Sequence, residues 1–170
     1  MAVAASIQEL SFASPPRRRV LAFTHTTFPH AAAQFAYEWM RNLGDRLDAE
    51  TRFAHTYPSD PTVDREEVGH WRTLGLLLPD PAHTADACHR HFTAFAPQRL
   101  ARLLELLAER FASTPEAVVR HPAVASAITQ AGWVQAWAPD LSCTAASAGG
   151  SLAGFVAASL LGIPRVHFQF

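Results

Sequence analysis

The sequence predicts an α/β domain built on a doubly wound, mainly parallel sheet with helices on both faces. Three observations carry that prediction. The closing stretch, Trp137 to Phe170, reads as strand, Gly-rich turn, helix and strand. The opening stretch repeats the pattern, with strands at Val20–Thr24 and Thr51–His55 on either side of a helical interval. Val20 to Thr24 is a continuous apolar run, as expected of a strand covered on both faces. A strand, a crossover helix and a second strand form a unit whose two strands run parallel.

The first residues, 1–17, are expected to form a flexible N-terminal arm that ends in Pro15-Pro16 and enters Arg17-Arg18-Arg19. A short charge run of this kind reads as an exposed leader to the first strand rather than a phosphate site. One domain then occupies 18–170. Its first strand opens into His25-Thr26-Thr27-Phe28-Pro29-His30, and a helix follows from about Ala31 to Leu47. Ala32, Phe35, Ala36, Trp39, Met40 and Leu43 recur at helical spacing and mark its buried face. The second strand ends in the turn Tyr57-Pro58-Ser59-Asp60-Pro61. Asp64 to Trp71 has the composition of a helix, and Leu74 to Leu78 that of a short strand or of that helix's end.

His83 to Ala112 is the most strongly helical stretch. Phe92, Phe95, Leu100, Leu103, Leu104 and Leu107 fall on one side, and Pro97 divides it in two. Thr114-Pro115-Glu116 starts the next helix, with Thr114 as N-cap and proline in the first turn. Val124 to Trp137 continues as helix, with Gly132 a point of interruption. Ala138-Pro139-Asp140 stops it, and Leu141–Thr144 is a short buried strand. Ser151 to Leu161 is apolar on nearly every face, Gly162 is placed to cap it, and Pro164 prevents its continuing into the strand 165–169. Leu21, Phe23, Phe53, Leu141, Val156, Leu160 and Val166 are expected to be buried.

Composition narrows the function. The chain has 170 residues and a formal charge of −1, which does not point to nucleic acid. Its fourteen basic residues are all arginine, which excludes a Schiff-base lysine and a P-loop lysine. There is no G-x-G-x-x-G, so no dinucleotide cofactor is implied. The longest apolar run, around Leu152 to Ile163, falls short of the roughly 20 residues of a membrane span. Cys88 and Cys143 have no metal or redox spacing and fit a reducing cytoplasm. His83, Asp86, Cys88, His89 and His91 are dense in ligating types but match no common metal-site spacing, and no metal is expected there.

In an open parallel sheet, ligands bind beyond the carboxyl ends of the strands. Three loops qualify: 25–30, 55–60 and 145–150. The first offers His25 and His30 for general-base work near neutral pH, with Thr26 and Phe28 beside them. The third offers Ser147, Gly149 and Gly150, where free N–H groups at a helix start can hold an anion or where small residues simply allow close packing. Ala145 to Gly150 also looks like a degraded nucleophile elbow around Ser147. No Asp or Glu follows Ser147, so His167 has no acid with which to complete a hydrolase triad.

The passage Trp137-Ala138-Pro139-Asp140-Leu141, followed by Ala157-Ala158-Ser159-Leu160-Leu161-Gly162-Ile163-Pro164-Arg165-Val166, resembles the N-terminal, acceptor-binding domain of GT-B glycosyltransferases. The resemblance is to the natural-product enzymes that use nucleotide-sugars, and it is most specific over 137–166. It implies a Rossmann-like half-enzyme that binds a small-molecule acceptor. The histidine after the first strand would deprotonate the acceptor hydroxyl: His30 by position, His25 as second candidate. The family often carries Asp a few residues past the "P-D-L" strand, where this chain has Ala145. The nucleotide-sugar would be held by a C-terminal domain that this sequence does not contain. The chain is therefore expected to be incomplete at its C-terminus, inactive alone, and inclined to self-associate through apolar surface that includes Phe168 and Phe170. A non-catalytic binding module of the same fold and a serine hydrolase using Ser147 are the alternatives.

Overall fold

A computed structural model describes residues 17–24, 38–39, 42–55, 76–77, 82–145 and 148–168. The strands are β1 (Arg18–Thr24), β2 (Ala49–His55), β3 (Leu76–Leu77), β4 (Leu141–Ala145) and β5 (Arg165–Phe168). The helices are α1 (Ala85–Phe95), α2 (Pro97–Arg110), α3 (Pro115–Arg120), α4 (Pro122–Gln135) and α5 (Ala148–Leu161). Residues 38–39 and 42–47 are also helical and lead into β2. The five strands pair in the order β3-β2-β1-β4-β5, and every pairing is parallel. Asp64 to Trp71, most of the 31–47 helix and the N-terminal arm up to residue 16 lie outside the described residues.

Each face of the sheet has its own core. On one, Leu21, Phe23 and Ala54 meet Phe92, Leu103, Ile128, Val156 and Leu160, and all of these are essentially buried. α5 lies on this face, against β1, β4 and α4. Being covered on most sides, it needs no polar stripe. Val156 and Leu160 have no exposed surface, and each such side chain contributes about 1.5–3 kcal/mol of apolar burial. On the other face Val20, Ala22, Phe53 and Cys143 form a smaller cluster, covered by Trp39 and Leu43 of the helical residues before β2. The parallel sheet thus carries helical residues on both faces.

The breaks follow local chemistry. Pro97 starts a new helix after Ala96, whose φ of −142° is not helical. Thr114 caps α3, its Oγ1 accepting a hydrogen bond from Ala117 N at 3.3 Å. Gly162 closes α5 with φ +69°, a conformation that glycine enters without a Cβ penalty. Leu76–Leu77 is strand, which settles the two readings of that segment.

Four expectations are corrected. The break in the 115–135 helical stretch falls at His121, where Pro122 takes the first position of α4 and the His121 ring accepts from Ala123 N at 3.3 Å. Gly132 sits inside α4, because Cys88 Sγ of α1 lies 2.5 Å from where its Cβ would be. Phe95 is 55 % exposed, since α1 ends there and its ring stacks outward on His91. Leu141 is only half-buried and Val166 is 38 % exposed. Leu141 opens β4 at the amino edge of the sheet. Val166 shares Cys143's face on β5, an edge strand of the described sheet, and no described helix covers it there. No helix among the described residues is long and apolar enough to cross a membrane.

Candidate functional site

Strand order reverses between β1 and β4. β2 and β3 lie on one side of β1, while β4 and β5 lie on the other. The helical residues before β2 and the helix α5 after β4 lie on opposite faces of the sheet, and it is at the carboxyl ends of two such strands that an open parallel sheet offers a ligand crevice. The register pairs Phe23 with Thr144, so Thr24 and Ala145 end the two strands side by side. α5 begins at Ala148, three residues beyond β4, and carries Gly149 and Gly150 in its first turn. No acidic residue occupies that turn. The N–H groups of a helix's first turn lack intrahelical acceptors, and a negative charge is favoured beside them.

The mount beneath this crevice is tight. Thr144 is buried, and a Cβ on Gly154 would collide with its Cγ2, so α5 rides directly on β4. Ser142 Oγ donates to the Gly154 carbonyl at 3.4 Å and ties the same two elements. At the opposite edge, Asp140 N donates to the Arg19 carbonyl at 2.8 Å, and Arg19 N donates to Asp140 Oδ2 at 2.8 Å. This reciprocal pair sets the β1–β4 register from the amino side. Asp140, within the motif carrying the family resemblance, has a structural role.

Among the candidate residues, Gly149 and Gly150 are brought to the crevice by α5. His25, Thr26, Phe28, His30 and Ser147 lie outside the described residues. In the chain they follow Thr24 and Ala145, the residues that end β1 and β4. The sequence reading gave no independent role to His167. Its Nδ1 lies 2.8 Å from Thr144 Oγ1, in a hydrogen bond whose donor depends on the ring tautomer. That bond orients an exposed imidazole near the carboxyl end of β5. The signal was available: Arg165 and His167 alternate with Val166, placing both on the α5 face, where the Arg165 guanidinium lies 4.8 Å from the Phe155 ring centre.

No protein family matches this chain, and neither a curated protein nor a solved structure matches it.

Cys88, Cys143 and His91 have structural uses. Burial raises the Cys143 thiol to about 11 and also raises Cys88, so neither presents a thiolate near neutral pH. In the segment dense in ligating types, Cys88 packs against Gly132 and His91 Nε2 lies 2.8 Å from Gln135 Oε1. Among the described residues no three His, Cys, Asp or Glu side chains gather as a metal site would require.

Proposed function

We propose that this chain is the acceptor-binding half of a glycosyltransferase that moves a sugar from a nucleotide-sugar to a hydroxyl of a small molecule. The observation that supports it is the closing unit. The passage resembling the GT-B family folds as strand, helix and parallel strand, with Gly162 capping the helix and Ser142 N donating to the Pro164 carbonyl at 3.0 Å. The β1–β4 crevice is the place such a fold offers a ligand. In this reading the acceptor enters the crevice, and His30, or failing it His25, takes the hydroxyl proton as the acceptor oxygen bonds the sugar's anomeric carbon, while the bond from that carbon to the nucleotide's phosphate oxygen breaks and the nucleotide leaves with that electron pair. A base must come within about 3 Å of that proton, or reach it through one water. His25 and His30 follow within six residues of Thr24, which ends a central strand. Gly149 and Gly150 offer N–H groups to an anionic group of the bound molecules.

A reconstituted enzyme tests the reading. The chain is joined to a nucleotide-sugar-binding half and given labelled donor with a panel of phenolic and alcoholic acceptors. Sugar transfer that His30→Ala abolishes, with acceptor binding little changed, is the expected result. Transfer that is unaffected by His30→Ala and His25→Ala, or absent with every acceptor, counts against it.

A further inference from the structure

We propose that a cavity at the amino ends of β1, β2 and β4, on the edge opposite the crevice, binds an amphipathic organic anion: an apolar body carrying a carboxylate. The cavity has a volume of about 870 Å³, within the range of small-molecule sites. Leu47 and Leu141 supply apolar wall, and Arg17, Arg18 and Arg19 line it together.

The charges around it are nearly all committed. Arg17 Nε pairs with Asp48 Oδ1 at 3.1 Å. Glu50 takes Arg52 at 3.0 Å and Arg19 at 3.8 Å. Asp140 accepts from Arg19 N at 2.8 Å, and Arg19 Nη1 donates to the Trp137 carbonyl at 2.9 Å. The guanidinium groups of Arg17, Arg19 and Arg52 thus pair with Asp48 and Glu50, Asp140 is held by a backbone N–H, and Arg18 is the one of the four arginines with no partner among the described residues. It is exposed at the cavity, and it sits beside Leu47, an apolar side chain left 52 % exposed on the same lining. A spare cation next to uncovered apolar wall selects a ligand with both characters. Guanidinium is well suited to a carboxylate, which it can hold through two parallel bonds. A neutral apolar molecule would leave Arg18 unanswered, and a small inorganic anion would leave Leu47 uncovered.

The test uses the full chain, decanoate as the anion and decanol as its neutral counterpart, followed by amide chemical shifts. Decanoate is expected to saturate, to shift Arg18, Val20, Ala49 and Leu141, and to weaken at high salt. Arg18→Glu should keep the melting temperature and weaken decanoate about tenfold or more, as loss of one charge-assisted bond implies. Leu47→Ser, which adds no charge, should weaken it through the apolar wall. The proposal is overturned if decanoate fails to saturate, binds no better than decanol, or binds both variants as tightly as the parent. It is also overturned if the shifts fall at Thr24, Gly149 and Gly150 instead, a result that leaves the crevice reading intact.

Discussion

At the residue scale, two side-chain environments make direct predictions. Gly154 lies where α5 crosses β4, and a methyl group there would collide with Thr144 Cγ2. Gly154→Ala should therefore cost about 1–3 kcal/mol of unfolding free energy through overpacking, measured by chemical denaturation; an unchanged midpoint would show that the helix sits farther from the strand. Cys143 concerns pH. Its thiol is raised to about 11 by burial, above the ordinary 9.0, so the folded state holds a proton that the unfolded chain releases first. The associated stability is complete below pH 9 and is lost as pH climbs towards 11. Stability should fall less steeply over that interval in Cys143→Ala than in the parent, and equal slopes would mean that the thiol reaches water. Residue-level burial was only partly legible in the sequence. Leu21, Phe23 and Phe53 follow from apolar strand positions, whereas Val166 looks equally apolar and is exposed. What separates them is strand order, which a single strand's composition does not contain.

At the element scale, punctuation decided what could be read. Pro97, Gly162 and Pro164 each act through backbone geometry, and the boundaries they mark appear where expected. The His121–Pro122 break is hard to read from sequence because histidine is not among the usual N-cap residues, although here its ring accepts from Ala123 N and stacks on Phe111 with centroids 5.9 Å apart. Thr114 is the conventional cap. Thr114→Ala should cost about 1 kcal/mol, seen as a lowered denaturation midpoint; no loss would mean that α3 is held by the packing of Val118 alone. The candidate site was legible as a place more than as chemistry. Chain order alone puts the loops after β1 and β4 at the carboxyl edge, but the pairing of β1 with β4, which makes them neighbours, is tertiary. So is the contact between Thr144 and His167, 23 residues apart in sequence.

At the scale of the whole molecule, the two edges of the sheet differ in character. The amino edge carries the ionic network of Arg17, Arg19, Asp48, Glu50 and Asp140, while the carboxyl edge carries a helix start without acids and the oriented imidazole of His167. β1, paired on both sides and covered by both cores, should hold the slowest-exchanging amides, and β5 should exchange faster because among the described residues it pairs with β4 alone. Slower exchange in β5 than in β1 would contradict the strand order. The central claim is that acceptors bind where that order reverses. Its most direct measurement is a titration of the chain with a panel of hydroxylated aromatic and alicyclic acceptors, without donor, followed by amide chemical shifts. The account predicts saturable shifts for at least one acceptor, concentrated at Thr24, Ala145, Gly149 and Gly150. The absence of binding across the panel, or shifts confined to the amino edge, would contradict it.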